Sequence, residues 1–186
     1  MVTARLHHPP AMLSLRLVAG ALAVGVGLAT VACAQNVDPA PPHFLLGASK
    51  GDNGTVNVRV VECYGGTLKA FDIERVGSNN VRSPLWRIEA ENAGGVTFAR
   101  GQEQTITVGS TPTGMREVLP LAASLPQAEK LSVGVNFTTQ PSASYGFSFR
   151  VDDIEPGKTW IALGNGKSLS NEEFSSEVGE VCKSST

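Results

Sequence analysis

From Thr55 onward, apolar and polar residues alternate with a period of two. Val56, Val58 and Val60 are separated by Asn57 and Arg59, and Trp86, Ile88 and Ala90 alternate with Arg87, Glu89 and Glu91. Leu131, Val133, Val135 and Phe137 are spaced by Ser132, Gly134 and Asn136; Tyr145, Phe147, Phe149 and Val151 are spaced by Gly146, Ser148 and Arg150. A strand with one face on a core and the other in water writes this pattern, because successive side chains leave opposite faces of the pleat. Weaker forms predict strands near 68–76, 95–100, 103–109 and 158–163. The phase slips at Val60-Val61, where the expectation is a β-bulge ahead of Glu62 and Cys63.

Turn formers punctuate these segments: Gly65-Gly66, Gly77-Ser78-Asn79-Asn80, Gly94-Gly95, Gly109-Ser110 and Pro156-Gly157. Short strands between regular turn signals predict an all-β, antiparallel, immunoglobulin-like β-sandwich of about 7–9 strands. Residues 112–129, with Pro112, Pro120 and Pro126, are expected to form one long irregular connection, and 164–171 an exposed loop. The one helix start is Ser170-Asn171-Glu172-Glu173-Phe174, a capping box between Ser170 and Glu173. Ser175 and Ser176 follow it, so a single turn is expected.

The beginning of the chain has a different character. Arg5 and Arg16 carry its only formal charges before Asp38, and residues 17–32 form an uninterrupted run of sixteen apolar and small residues. That run is short for a transmembrane helix and has the length of a signal-peptide core. Two processing routes compete at its end. Ala32-Cys33-Ala34 suits cleavage after Ala34, whereas Thr30-Val31-Ala32-Cys33 resembles the lipobox of bacterial lipoproteins. That resemblance implies a diacylglycerol on the Cys33 thiol and cleavage before it. The domain plan is a signal peptide with lipobox at 1–33, a flexible tether at 34–50 and a sandwich at 51–186. The proline-rich stretch QNVDPAPPH at 35–43 is the clearest tether signal.

Cysteine counting fits both routes. Of Cys33, Cys63 and Cys182, the first is lipidated or lost with the signal, leaving two for an oxidising compartment. A Cys63–Cys182 disulfide is expected, the alternative being two buried thiols.

Charge bears on partners. Without Arg5 and Arg16 the 15 basic residues become 13 against 17 acidic ones, a formal charge of −4. No basic stripe interrupts this, which argues against nucleic acid. The three histidines, His7, His8 and His43, all precede the sandwich. Nucleophile–histidine catalysis and histidine-rich metal sites are therefore not expected inside it, and no cofactor or metal is assigned. Carboxylates cluster at Asp152, Asp153 and Glu155 and again at Glu172 and Glu173. Asp152 and Asp153 are neighbours in an extended segment, so they point to opposite faces and do not form a catalytic pair by themselves. Trp86 and Trp160 are expected in the core rather than as sugar platforms.

The segment Ile154-Glu155-Pro156-Gly157-Lys158-Thr159-Trp160 is similar to the turn into the penultimate strand of fibronectin type III-like domains. With the lipobox, the whole resembles small exported lipoproteins of actinobacterial type. That likeness implies a lipid-anchored module on the outer face of the cell membrane, binding or spacing an envelope protein or polysaccharide, with no enzymatic activity assigned. The alternatives are a hydrolase of envelope polysaccharide, drawing two carboxylates from Asp152, Glu155, Glu172 and Glu173, and a secreted ligand-binding protein.

Overall fold

The period-two segments become antiparallel strands in two packed sheets. The computed structural model describes residues 43–51, 53–138, 144–161 and 166–184. Its strands are β1 (Phe44–Lys50), β2 (Val56–Glu62), β3 (Gly66–Val76), β4 (Arg82–Ala90), β5 (Val96–Phe98) and β6 (Glu103–Thr107). They continue with β7 (Met115–Leu119), β8 (Leu131–Phe137), β9 (Ser144–Phe149), β10 (Thr159–Ile161) and β11 (Lys167–Leu169), and one helix follows, α1 (Asn171–Ser184).

The first sheet runs β11-β10-β1-β2-β6; the second runs β7-β4-β3-β8-β9, with β5 pairing β3. β1, β2 and β6 occupy the places of strands A, B and E of an immunoglobulin-type Greek key, and β4, β3, β8 and β9 those of C′, C, F and G. The all-β sandwich expectation therefore holds. The eleven strands exceed the expected number because β5, β7, β10 and β11 are added around this key.

The core is built from the inward-facing halves of the alternations. Leu46, Ala48, Val56, Val58, Val60 and Ile106 of the first sheet meet Phe71, Ile73, Trp86, Ile88, Val133 and Val135 of the second. Trp86 is fully buried edge-on to Phe71, with ring centroids 5.7 Å apart. Its indole N–H donates to Glu117 Oε1 at 2.8 Å, which answers the one polar atom that burial would orphan.

A third layer lies on the outer face of the first sheet. Leu45, Val61, Ile161 and Leu169 pack there against Phe174, Val178 and Cys182 of α1. This layer explains the apolar doublets. In Leu45-Leu46 and Val60-Val61 the second-sheet core takes one residue and the helix takes the other. The bulge expected at Val60-Val61 is absent: Val60 pairs with Leu46 and Val61 with Leu45 in unbroken register.

Five other expectations are corrected. Residues 44–50, expected in the tether, form β1, the strand between β2 and β10, because their adjacent apolar residues fill both faces of the sheet. The connection at 112–129 contains β7, and the loop at 164–171 contains β11. The helix runs 14 residues rather than one turn. Its capping box forms as expected: Ser170 N–H donates to Glu173 Oε2 at 2.7 Å and Glu173 N–H donates to Ser170 Oγ at 3.2 Å. Phe174, Val178, Val181 and Cys182 then repeat at helical spacing along one side, and burial of that stripe outweighs the weak propensity of Ser175, Ser176 and Gly179. Finally, Trp160 lies on β10 beside β1, whereas the penultimate strand of the fibronectin plan corresponds to β8 in the other sheet. Trp160 is half-buried and stacked on Phe147 at 6.1 Å.

Candidate functional site

Cys63 and Cys182 form a disulfide with Cα atoms 5.0 Å apart. It fastens the C-terminal end of α1 to the turn after β2. Closing a loop with a sequence separation of 119 contributes about 5 kcal/mol in the chain-entropy model. The chain enters the fold beside it: Cys63 N–H donates to His43 O at 2.8 Å, and the His43 ring lies 5.2 Å from that of Tyr64. Cys33 lies outside the described residues.

The other end of α1 is held by Arg59. Its guanidinium donates from Nε and Nη2 to the two Glu103 oxygens at 2.6 and 2.8 Å, and from Nη1 to Thr159 Oγ1 and Asn171 Oδ1 at 3.0 Å each. The same group lies 3.9 Å from the centroid of the Phe174 ring. Gly47 makes room for that ring, since a Cβ there would come within 3.0 Å of Phe174 Cε2 and 2.5 Å of Thr159 Cγ2. Arg59 thus ties β6 and β10 to the first residue of the helix through Glu103, Thr159 and Asn171, so this cluster is structural.

The carboxylates singled out in the sequence fall on the turn after β9, on the turn before β10 and at the start of α1. Asp152 and Asp153 belong to a 3-10 turn, Val151–Asp153. Glu155 is paired with Lys158 at 2.6 Å, and that hydrogen bond holds its pKa below the ordinary carboxylate value. Glu173 is held low by the Ser170 backbone N–H that it caps, with Lys158 adding a smaller push. A general acid needs a raised pKa, and these two groups move the other way. Glu172 is exposed at the start of α1.

Among the described residues, the two carboxyls with raised pKa values carry no sequence signal beyond their place in a strand. Glu62 is 1% exposed; its Oε1 accepts from Tyr64 N–H at 3.2 Å, while its buried Oε2 has no hydrogen-bond partner. Burial is the main cause of its raised pKa, opposed by the Tyr64 hydrogen bond and by His43. Asp72 is half-buried on the outer face of β3, where burial first and Glu74 second raise its pKa against Arg87 and Arg82.

Asp72 belongs to a hollow of about 410 Å³ on the open face of the second sheet, lined also by Glu74, Arg82, Ser132, Gly134, Gly146 and Ser148. Strand register assembles it. Asp72 faces Gly134 across β3–β8, Gly134 faces Gly146 across β8–β9, and Glu74, Ser132 and Ser148 form the next row. A Cβ at Gly134 would lie 2.7 and 2.8 Å from the Asp72 carboxylate oxygens, so the glycine is what lets that carboxylate lie flat on the sheet. Arg82 Nη1 donates to Glu74 Oε2 and to Ser132 Oγ, both at 3.1 Å. No hydrogen bond or ion pair ends on the Asp72 carboxylate among the described residues. The alternation predicted which of these residues face outward; only pairing across three strands brings them together.

A second concavity, about 200 Å³, lies at the sandwich edge between Val56, Val108, Leu121 and Leu125, rimmed by Asn53, Thr55 and Gln127. It is smaller than the roughly 300 Å³ at which pockets for free small ligands begin. Among the described residues no group of three or more His, Cys, Asp or Glu side chains could hold a metal ion, and no helix is long and apolar enough to cross a membrane. Comparison with family models, curated proteins and solved structures found no match.

Proposed function

We propose that the chain is a lipid-anchored, non-enzymatic binding module on the outer face of a cell membrane. The observation that carries this reading is the partition of its cysteines. The disulfide takes Cys63 and Cys182, which leaves Cys33 as the single odd cysteine, directly after the sixteen-residue apolar run. A disulfide-fastened domain suits an oxidising compartment, and a cysteine at the end of a signal-like segment suits lipidation.

The division of labour within the sandwich supports the binding role. One outer face is sealed by α1, and the other displays polar side chains on a rigid sheet. The hydrolase reading loses support at Glu155 and Glu173, which are held ionised by their own partners.

Fractionation of cells expressing the full chain tests the anchor. Wild type is expected in the membrane fraction and Cys33→Ser in the medium or periplasm. Equal distribution of the two would contradict it.

A further inference from the structure

We infer that the hollow on the open face of the second sheet binds a neutral, hydroxyl-rich glycan. The inference rests on the binding-module reading above and names its ligand class and its site.

Charge balance argues first. On this face Arg82 pairs with Glu74 at 3.1 Å, and Glu89 pairs with Arg87 at 2.7 Å and Arg116 at 3.9 Å. Opposite charges therefore cancel along the sheet, leaving no field of one sign to draw in a polyanion or a polycation. Donors and acceptors nonetheless sit side by side. The Asp72 carboxylate is half-desolvated and unpaired, Glu74 retains acceptor capacity beyond its Arg82 bond, Arg82 is a donor, and Ser148 is both, while Ser132 is buried and holds Arg82 in place. A sugar hydroxyl donates and accepts at one atom, so adjacent hydroxyls answer this mixture without importing charge.

Shape and polarity argue next. Gly134 and Gly146 face each other across β8–β9, and the Asp72 carboxylate lies over Gly134 in the place of a side chain, which puts an acceptor on the floor of the hollow. Val133 and Phe147 also line the hollow but are buried, and the large hydrophobic side chains exposed among the described residues, Tyr64, Val81 and Val118, lie elsewhere. An apolar anchor from a protein partner would thus find no desolvated pocket of the kind interface hot spots occupy. The volume, about 410 Å³, is within the range of ligand sites and suits a few sugar rings. Asp72 also gains from occupancy, since a donated hydroxyl proton replaces the hydration that its position restricts.

The test is titration of the ¹⁵N-labelled processed chain with three probes in turn: a neutral linear hexose hexasaccharide, a lysine hexapeptide and a sulfated hexasaccharide. The expected result is amide shifts at Asp72, Glu74, Ser132, Gly134, Gly146 and Ser148 with the neutral sugar alone. Asp72→Ala should weaken its binding about tenfold or more, as for loss of a hydrogen bond to a charged group. Ser148→Arg, which fills the hollow from an already solvent-facing position, should abolish binding while leaving the remaining spectrum in place. Shifts confined to another surface, a response to the charged probes instead, or unchanged affinity in both variants would overturn the inference. The anchor fails separately: sugar binding by a chain whose Cys33 carries no lipid keeps the site and removes the tether. A lipidated chain with no shifts on this face removes the site alone.

Discussion

The two outer faces of the sandwich have the same pleat and opposite fates. On the first sheet, Leu45, Val61 and Ile161 are covered by α1, and Arg59 and a disulfide fasten the two ends of that helix. On the second sheet the equivalent positions are Asp72, Glu74, Gly134 and Ser148, and no helix covers that face among the described residues. A covered face is a stability device whose residues cannot change without consequence. An open face on the same scaffold is free to carry recognition, because its side chains owe little to the core.

Mutations should separate the two faces by magnitude. Cys63→Ser with Cys182→Ser should have the largest effect, a loss approaching about 5 kcal/mol in denaturant unfolding, with release of the C-terminal half of α1 seen as faster amide exchange. Phe174→Ala should cost about 3–4 kcal/mol, because it empties the space between Gly47, Arg59 and the helix. Glu103→Ala should cost about 2 kcal/mol: Arg59 is only 12% exposed and would lose its bidentate partner, though Glu103 at 32% exposure keeps part of the pair screened.

Glu62→Gln should change stability in the opposite direction. The Glu62 carboxyl is raised by burial above its ordinary 4.5, so the folded state holds a proton that the unfolded chain releases. The stability it contributes is fully present below about pH 4.5 and is lost as pH rises through the higher folded value. The glutamine variant should therefore melt higher than wild type at pH 7, by about 1 kcal/mol in stability, and the gap should close near pH 4. A constant gap across that range would show that Glu62 is not the titrating group. Asp72→Asn and Ser148→Arg should have the smallest effects, within about 0.5 kcal/mol, since both side chains lie on the open face. A large loss from either would mean that this face is structural after all.

The same contrast governs how much was legible in the sequence. In the second sheet β4, β8 and β9 announce themselves, because one wet face enforces strict alternation, as in Val133-Gly134-Val135-Asn136, whereas β3 writes it more weakly and β7 does not. In β1 and β2 the covered outer face puts apolar residues next to one another, and the doublet Val60-Val61 suggests a bulge when it marks a third layer. The helix was under-read for the same reason. Its start is local chemistry, visible in Ser170 and Glu173, but its length depends on a sheet face to which Leu45 and Val61, more than a hundred residues away in sequence, contribute. Cysteine counting reached the disulfide because the two cysteines outside the signal-like segment leave one pairing. The hollow was not legible: Asp72, Ser132 and Ser148 lie on three strands, and nothing local distinguishes them from other outward-facing residues.

The most direct test of the account is the mass of the N-terminal peptide of the protein purified from its own membranes. The account predicts a peptide beginning at Cys33 with a diacylglycerol on its thiol. A peptide beginning at Gln35, with no lipid, would contradict the anchored module and make the sandwich a freely secreted domain.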